Sequence, residues 1–129
     1  MKKKPTILIF TDLDGSLLHR DTFKFDPIKD YIKSLLDNGI IVIPNSSKTE
    51  KEIENFCEEL GTKLPFISEN GSAIHGLNLI NQNFPTKIIL SREKEELLKI
   101  FNEKIPEKLI NKCVQISKLS KKEQEKIFG

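Results

Sequence analysis

The sequence predicts an α/β fold, with a parallel sheet over residues 1–84 and the start of an α+β segment over 85–129. Three observations carry the prediction. Ile7–Phe10 is a continuous apolar run without period-2 alternation, the pattern of a strand buried on both faces in the middle of a parallel sheet. Ile40–Ile43 is a second such run, and the single amphipathic stretch between them makes a strand, helix, strand crossover. Such a crossover is right-handed and leaves its strands as parallel neighbours. Past Gly76 the character changes to short strand-like runs around one amphipathic helix.

Composition is that of one ordinary soluble domain: 129 residues, 37% hydrophobic and 31% charged, suffice to bury a core and do not read as disorder. Lys+Arg of 21 against Asp+Glu of 19 gives a net charge of +2 with both signs interspersed, so no basic stripe points to nucleic acid. No stretch approaches the ~20 apolar residues that span a bilayer, and the basic Met1–Pro5 precedes too short an apolar run for a secretion signal. Membrane partners are therefore not expected. Cys57 and Cys113 lack disulfide-framework or metal-ligand spacing, so reduced thiols and a cytoplasmic location are expected.

The first strand delivers two carboxylates, Asp12 and Asp14, at its carboxyl end, where ligand crevices of open α/β sheets lie. Side chains two apart on an extended backbone point the same way, their α-carbons roughly 7 Å apart. Gly15 then lets the chain turn. Two carboxylates so close are kept ionised by a divalent cation, and magnesium, a hard oxygen-seeking ion, suits them. With the cation on a phosphoryl oxygen, Asp12 has the chemistry to attack phosphorus and form an aspartyl-phosphate. Asp14 has the chemistry to exchange a proton with the leaving oxygen. A bare Asp-x-Asp-Gly is more often only a turn after a strand, and it is the context that favours the catalytic reading.

Leu17–Phe25 reads as a short hairpin over the site, with His19 and Arg20 solvated. Asp26-Pro27 reads as an N-cap and first helical residue, with Ile28, Tyr31, Ile32, Leu35 and Leu36 on one face and Asn38-Gly39 as the stop. The tip of the following strand should neighbour Asp12. There, Pro44–Glu50 leads into a helix with Ile53, Phe56, Cys57 and Leu60 inward and Gly61 as terminator. A hydroxyl and free backbone donors at that N-terminus suit a phosphate, and Ser47 with Glu50 has capping-box spacing. Lys48 adds a charge there.

Pro65–Ser68 is a third apolar run, and Glu69-Asn70-Gly71 turns into an antiparallel strand at Ser72–His75, with His75 on its surface. Thr86–Leu90 reads as a strand, Ser91 as the cap of a helix with Leu97, Leu98, Phe101 and Ile105 inward, and Lys112–Ile116 as another strand. Ser120 with Glu123 opens a last helix.

Asp12-Leu13-Asp14-Gly15-Ser16 behind its strand resembles the first motif of the haloacid dehalogenase superfamily of phosphatases, although Thr is commoner where Ser16 stands. The resemblance implies a Rossmann-like core and magnesium-dependent catalysis. It makes Asp12 the nucleophile, Asp14 the general acid/base, and the Asp12 carboxylate with the Asp14 backbone carbonyl the metal ligands. Ser46 then occupies the second motif, a phosphate ligand, with Ser47 and Lys48 beside it and Asn70 near the substrate. TDLDGSLL, HRDTFKFDP, NSSKTEKEIENFCEELG and LPFISENGSAI together resemble the mannosyl-3-phosphoglycerate phosphatase family from about Ile7 to Ile74. That narrower resemblance implies hydrolysis of a glycosyl-3-phosphoglycerate to a glycosylglycerate solute, with 85–129 as an incomplete cap.

The family's third motif, a Lys, and fourth, a Gly-Asp with further acids, find no counterpart, since Asp37 is the last aspartate. This departure makes a truncated phosphatase, weak or inactive alone, the expectation. Its partner is then a phosphorylated sugar, and beyond that a carboxyl-terminal half or a second copy of the chain. The alternatives are a non-catalytic remnant or phosphate-binding module, and a phosphatase for another sugar phosphate.

Overall fold

The computed structural model describes residues 7–22, 24–114, 118–120, 122–123 and 126. The chain divides into two compact units, Met1–Ser91 and Arg92–Gly129, and the fifth strand is hydrogen-bonded into the first unit.

In the first unit the expected crossover forms. Strand β1 (Leu8–Thr11) leads through helix α1 (Asp26–Asp37) to β2 (Ile41–Pro44), and β1 pairs with β2 in parallel, Thr11 opposite Pro44. Helix α2 (Glu50–Leu60) follows, then an antiparallel sheet of β3 (Phe66–Ser68), β4 (Ala73–His75) and β5 (Lys87–Ile89) in that order. An isolated parallel bridge between Asn45 and Ile67 links β2 to β3, so the tips of β1, β2 and β3 gather at one end.

The core is one cluster in which Leu13 and Leu18 from the loop after β1 meet Ile32 of α1, Val42 of β2 and Ile53, Phe56 and Leu60 of α2. Full burial of such a side chain contributes about 1.5–3 kcal/mol each. The α2 pattern is borne out in full, since Ile53, Phe56, Cys57 and Leu60 are all buried, whereas on α1 Ile32 is buried and Tyr31 is exposed. Phe25 tilts against Phe56 at a 4.9 Å centroid distance and joins the two helices.

Several expectations are corrected. Among the described residues β1 pairs with β2 alone, where the sequence pattern predicts a strand in the middle of a sheet. Leu8 and Phe10 are 42% and 59% exposed, because a parallel strand is buried only when both edges and both faces are covered. The described residues of Leu17–Phe25 are turn, bridge and irregular backbone, with His19 N–H donating to the Lys24 carbonyl, rather than two strands. Helix α1 begins one residue early, with Phe25 as N-cap and Asp26 as its first residue. His75 is buried rather than on a strand surface.

In the second unit, α3 (Lys94–Lys104) has Glu93 rather than Ser91 at its N-cap position, without a side-chain capping bond, and is followed by a short α4 (Glu107–Ile110). Leu97, Leu98 and Phe101 share one face of α3 but remain exposed. Lys112–Val114 is turn and irregular backbone rather than strand, and the rest of that expected strand lies outside the described residues. Ser120 and Glu123 do form the expected reciprocal cap, Ser120 N–H and Oγ both donating to the Glu123 carboxylate. No helix among the described residues is long and apolar enough to cross a membrane.

Candidate active site

The chain leaves β1 through Thr11 and places Asp12 and Asp14 outward around a fully buried Leu13. This alternation is what the strand-end reading requires: Leu13 anchors the loop in the core, and its neighbours project to solvent. The loop is tied by Leu18 N–H donating to the Leu13 carbonyl at 2.7 Å and Gly15 N–H to the Leu18 carbonyl at 2.9 Å. Gly15 takes φ of 76°, a backbone conformation that a side chain disfavours. One Asp12 oxygen, Oδ1, accepts the Leu13 N–H at 2.8 Å. That bond fixes the carboxylate's orientation and leaves Oδ2 to face a ligand.

Beside it, Asn45 N–H donates to the Thr11 carbonyl at 2.8 Å, so the end of β2 does neighbour Asp12. The loop 45–48 then lies along the end of β3. Ser46 N–H donates to the Ile67 carbonyl, Glu69 N–H to the Lys48 carbonyl and Asn70 N–H to the Ser46 carbonyl. Glu69 and Asn70 both hold positive φ, 50° and 56°, uncommon for residues with side chains. The structure therefore joins the Ser46–Lys48 loop to Asn70 by backbone hydrogen bonds, and to Asp14 by an ion pair, Lys48 Nζ to Asp14 Oδ1 at 3.2 Å.

Ser46 is buried and its Oγ accepts the Lys48 N–H at 3.2 Å, which leaves its hydroxyl hydrogen to donate. Ser47 is exposed with no side-chain hydrogen bond among the described residues, and it is not the helix cap. That role belongs to Thr49, whose side chain accepts the Glu52 N–H while the Glu52 carboxylate takes the Thr49 N–H at 2.8 Å and Oγ1 at 2.7 Å. These bonds from the Thr49 backbone and hydroxyl hold the Glu52 carboxyl below its ordinary range, with nearby Lys48 adding to the effect. The sequence holds two overlapping S/T-x-x-E registers, Ser47–Glu50 and Thr49–Glu52. The helix start at Glu50 selects the second.

A second group escaped the sequence reading. His75 Nε2 lies 2.8 Å from Ser68 Oγ, its Nδ1 lies 3.2 Å from Glu50 Oε1, and Lys87 Nζ holds Glu50 Oε2 at 2.6 Å. The alternation of β3 and β4 was the available signal, because Phe66, Ser68, Ala73 and His75 share one buried face. Burial pushes the His75 ring below its ordinary value against the opposing pull of Glu50, and the Lys87 hydrogen bond lowers the Glu50 carboxyl. Cys57 is buried and its thiol is pushed up by that burial, while Cys113 is exposed; neither joins a ligand set.

As a metal site, the β1 tip offers oxygen donors alone, which suits a hard cation that keeps several waters. Among the described residues no three acidic, histidine or cysteine side chains converge. Asp12 and Asp14 would hold such a cation with water completing its shell.

Residues 9–126 match the family of haloacid dehalogenase-like hydrolases. The chain is similar to a glucosyl-3-phosphoglycerate/mannosyl-3-phosphoglycerate phosphatase of Persephonella marina, 36% identical over 110 residues, covering 79% of this chain and 40% of that protein. It is also similar to a mannosyl-3-phosphoglycerate phosphatase of Pyrococcus horikoshii, 49% identical over 67 residues, covering 52% of this chain and 27% of the relative. The chain thus spans about a quarter to two-fifths of the length of these relatives. Among solved structures, a haloacid dehalogenase-like hydrolase from B. subtilis superposes with a TM-score of 0.55 at 24% identity, covering 74% of this chain and 32% of that one. A Thermotoga maritima protein gives 0.59 at 19% identity, covering 77% and 35%. At such identities the likeness speaks for the fold, a partial core of this kind with a parallel strand pair. The sequence match covers all but the two ends, and the chain belongs to the haloacid dehalogenase-like hydrolases.

Proposed function

We propose that this chain carries the nucleophile-bearing part of a magnesium-dependent phosphatase acting on a glycosyl-3-phosphoglycerate, mannosyl-3-phosphoglycerate foremost. The observation that carries the reading is the outward pair Asp12 and Asp14 around buried Leu13, set beside the Ser46–Lys48 loop. The names of the similar proteins support the substrate class. With that substrate class the reading carries a place in making glycosylglycerate solutes and a cytoplasmic setting.

In this reading Asp12 Oδ2 attacks phosphorus, the bond to the glycerate oxygen breaks, and Asp14 gives that oxygen a proton. Water then attacks the aspartyl-phosphate, Asp14 takes its proton, and Asp12 is regenerated with release of inorganic phosphate. The Ser46 hydroxyl and the backbone donors of the loop hold the phosphoryl oxygens, Lys48 adds positive charge, and Asn70 lines the substrate side. Asp14 enters this cycle protonated, and magnesium held by the Asp12 carboxylate and the Asp14 backbone carbonyl would supply neutralising charge for the attacking carboxylate and the phosphoryl group.

A second reading, a phosphate-binding module without turnover, is favoured by the commitment of Asp14 to Lys48 and by the small donor set at the β1 tip. The deciding experiment assays phosphate release from mannosyl-3-phosphoglycerate with magnesium, by the chain alone and with an added carboxyl-terminal half of a complete relative. Turnover in the reassembled form that disappears in Asp12→Asn supports catalysis. Phosphate binding with no release in either form supports the module.

A further inference from the structure

The network around His75 lies outside the residues assigned above. His75 is buried at the end of β4, stacked on Phe66 at 4.4 Å between centroids and 17° between planes. Its two ring nitrogens reach in different directions along the chain. Nε2 meets Ser68, the last residue of β3, just before the strained Glu69-Asn70 turn. Nδ1 meets Glu50, the first residue of α2, immediately after the Ser46–Lys48 loop and its Thr49 cap.

Glu50 as a carboxylate can only accept, so the ring proton sits on Nδ1 and donates to Glu50, while Nε2 accepts from the Ser68 hydroxyl. A neutral imidazole satisfies both partners at once. A carboxylate, an imidazole and a hydroxyl in series have the composition of a nucleophilic triad, but Ser68 is 1% exposed and cannot reach a substrate. The series is structural in position, and it ties the first residue of α2, just after the phosphate-holding loop, to the last residue of β3. In front, backbone bonds join the same loop to the same strand end: Ser46 N–H donates to Ile67, Glu69 N–H to Lys48 and Asn70 N–H to Ser46.

We propose that His75 is a positioning residue for the phosphate-holding loop: by bridging Ser68 and Glu50 from behind, it fixes the start of α2 against the end of β3. It thereby sets the placement of Ser46, Lys48 and Asn70. This rests on the phosphatase reading for the purpose of that placement, not for the bridge itself. Lys87, opposite His75 in the β4–β5 register, holds the second Glu50 oxygen and keeps the carboxylate aimed at the ring.

The test measures amide hydrogen exchange by NMR on the chain itself and needs neither ligand nor turnover. His75→Phe keeps a ring on Phe66 and removes both bonds, and Ser68→Ala removes one bond and leaves the ring. Cys57→Ala trims the same core without touching the network and serves as the control. In both network variants the Glu69 and Asn70 amides exchange at least about tenfold faster, while amides in the β1–β2 ladder change little, because local opening is selective. In Cys57→Ala any loss falls on all of them alike. If His75→Phe and Ser68→Ala loosen the β1–β2 ladder as much as the turn, or leave the turn unchanged, His75 is only core packing and the proposal is overturned.

A titration with orthovanadate, followed at the Ser46–Lys48 amides, separates this from the phosphate reading. Positioning predicts roughly tenfold weaker binding in His75→Phe than in the parent chain, the scale of one misplaced donor group. A parent chain that leaves those amides unmoved by vanadate counts against the phosphate reading, while the exchange comparison still decides the role of His75.

Discussion

Thr49→Ala should lower the stability of the first unit by about 1 kcal/mol, the typical cost of a lost N-cap. The magnitude can be followed bond by bond. The substitution removes the Thr49 Oγ1 donation to Glu52 at 2.7 Å and the longer acceptance of the Glu52 N–H at 3.4 Å, but leaves the Thr49 N–H bond to the same carboxylate. One strong charge-assisted bond and one weak one are lost, which keeps the effect near that figure rather than at the ~2 kcal/mol upper end for caps. For a unit of this size the melting temperature should fall by about 4–8 °C. Ser47→Ala, in contrast, removes an exposed hydroxyl that bonds no described side chain, and should stay within about 0.5 kcal/mol. Thermal melts by circular dichroism on both variants give the comparison. A carboxyl-carbon NMR titration of Glu52 adds a local check: its pKa should rise toward the ordinary range in Thr49→Ala, yet stay below it because the backbone bond remains. If Ser47→Ala costs the larger drop, the helix is capped in the other register and the placement of the loop is wrong.

Ser46→Ala should weaken orthovanadate binding by about tenfold by removing one donor, with a stability cost of about 1 kcal/mol or less from the lost 3.2 Å acceptance; isothermal titration and melts read the two separately. Acidification should destabilise the first unit in two windows, seen in urea melts stepped from pH 8 to pH 3. His75 is held below its ordinary 6.5, so as pH falls through 6.5 the unfolded chain binds a proton first and stability drops until the folded ring also titrates. Glu50 and Glu52 are held below 4.5, so their contribution is present above 4.5 and is lost as pH falls through their folded values. His75→Phe should remove the upper window and shrink the Glu50 part of the lower one, since His75 helps Lys87 hold that carboxyl down, and should leave the Glu52 part unchanged. Gly76→Ala should cost roughly 2–3 kcal/mol, because φ is 71° and a Cβ would stand 3.1 Å from the Pro65 α-carbon and 3.3 Å from the Leu64 carbonyl oxygen, neither of which yields easily; denaturant melts measure it.

The legible parts of this chain are those that local pattern alone determines. Ile53, Phe56, Cys57 and Leu60 recur at helical spacing, and all four are buried; Asp12 and Asp14 follow an apolar run, and both project from its end. The Asn70-Gly71 turn joins the antiparallel pair that its sequence predicts. The misread parts depend on what lies across from them. Leu8 and Phe10 carry the pattern of a doubly buried strand, but burial is conferred by neighbours, and among the described residues β1 has one. Ser47 and Thr49 both satisfy the capping rule, and only the helix's first turn chooses between them. Likewise His75 in a short mixed strand could face either way; the opposite register positions Phe66 and Ser68 decide it.

The candidate site lies where two kinds of pairing meet. Parallel pairing brings the ends of β1 and β2 side by side, and the Asn45–Ile67 bridge carries that alignment to β3. Antiparallel pairing then sends β3 back through Glu69 and Asn70, each at a positive φ that typically costs about 1–3 kcal/mol. Asn70 belongs to a residue type that tolerates this conformation, but nothing in the turn sequence selects it at Glu69. What holds them is the pair of amide donations to the Lys48 and Ser46 carbonyls, so the strained turn and the Ser46–Lys48 loop each depend on the other's shape. A perturbation of either should therefore be felt at both. Buried Leu13 does for the exposed Asp12 and Asp14 what the His75 bridge does for Ser46 and Lys48: in both places the groups of the site are aimed by side chains that do not face solvent.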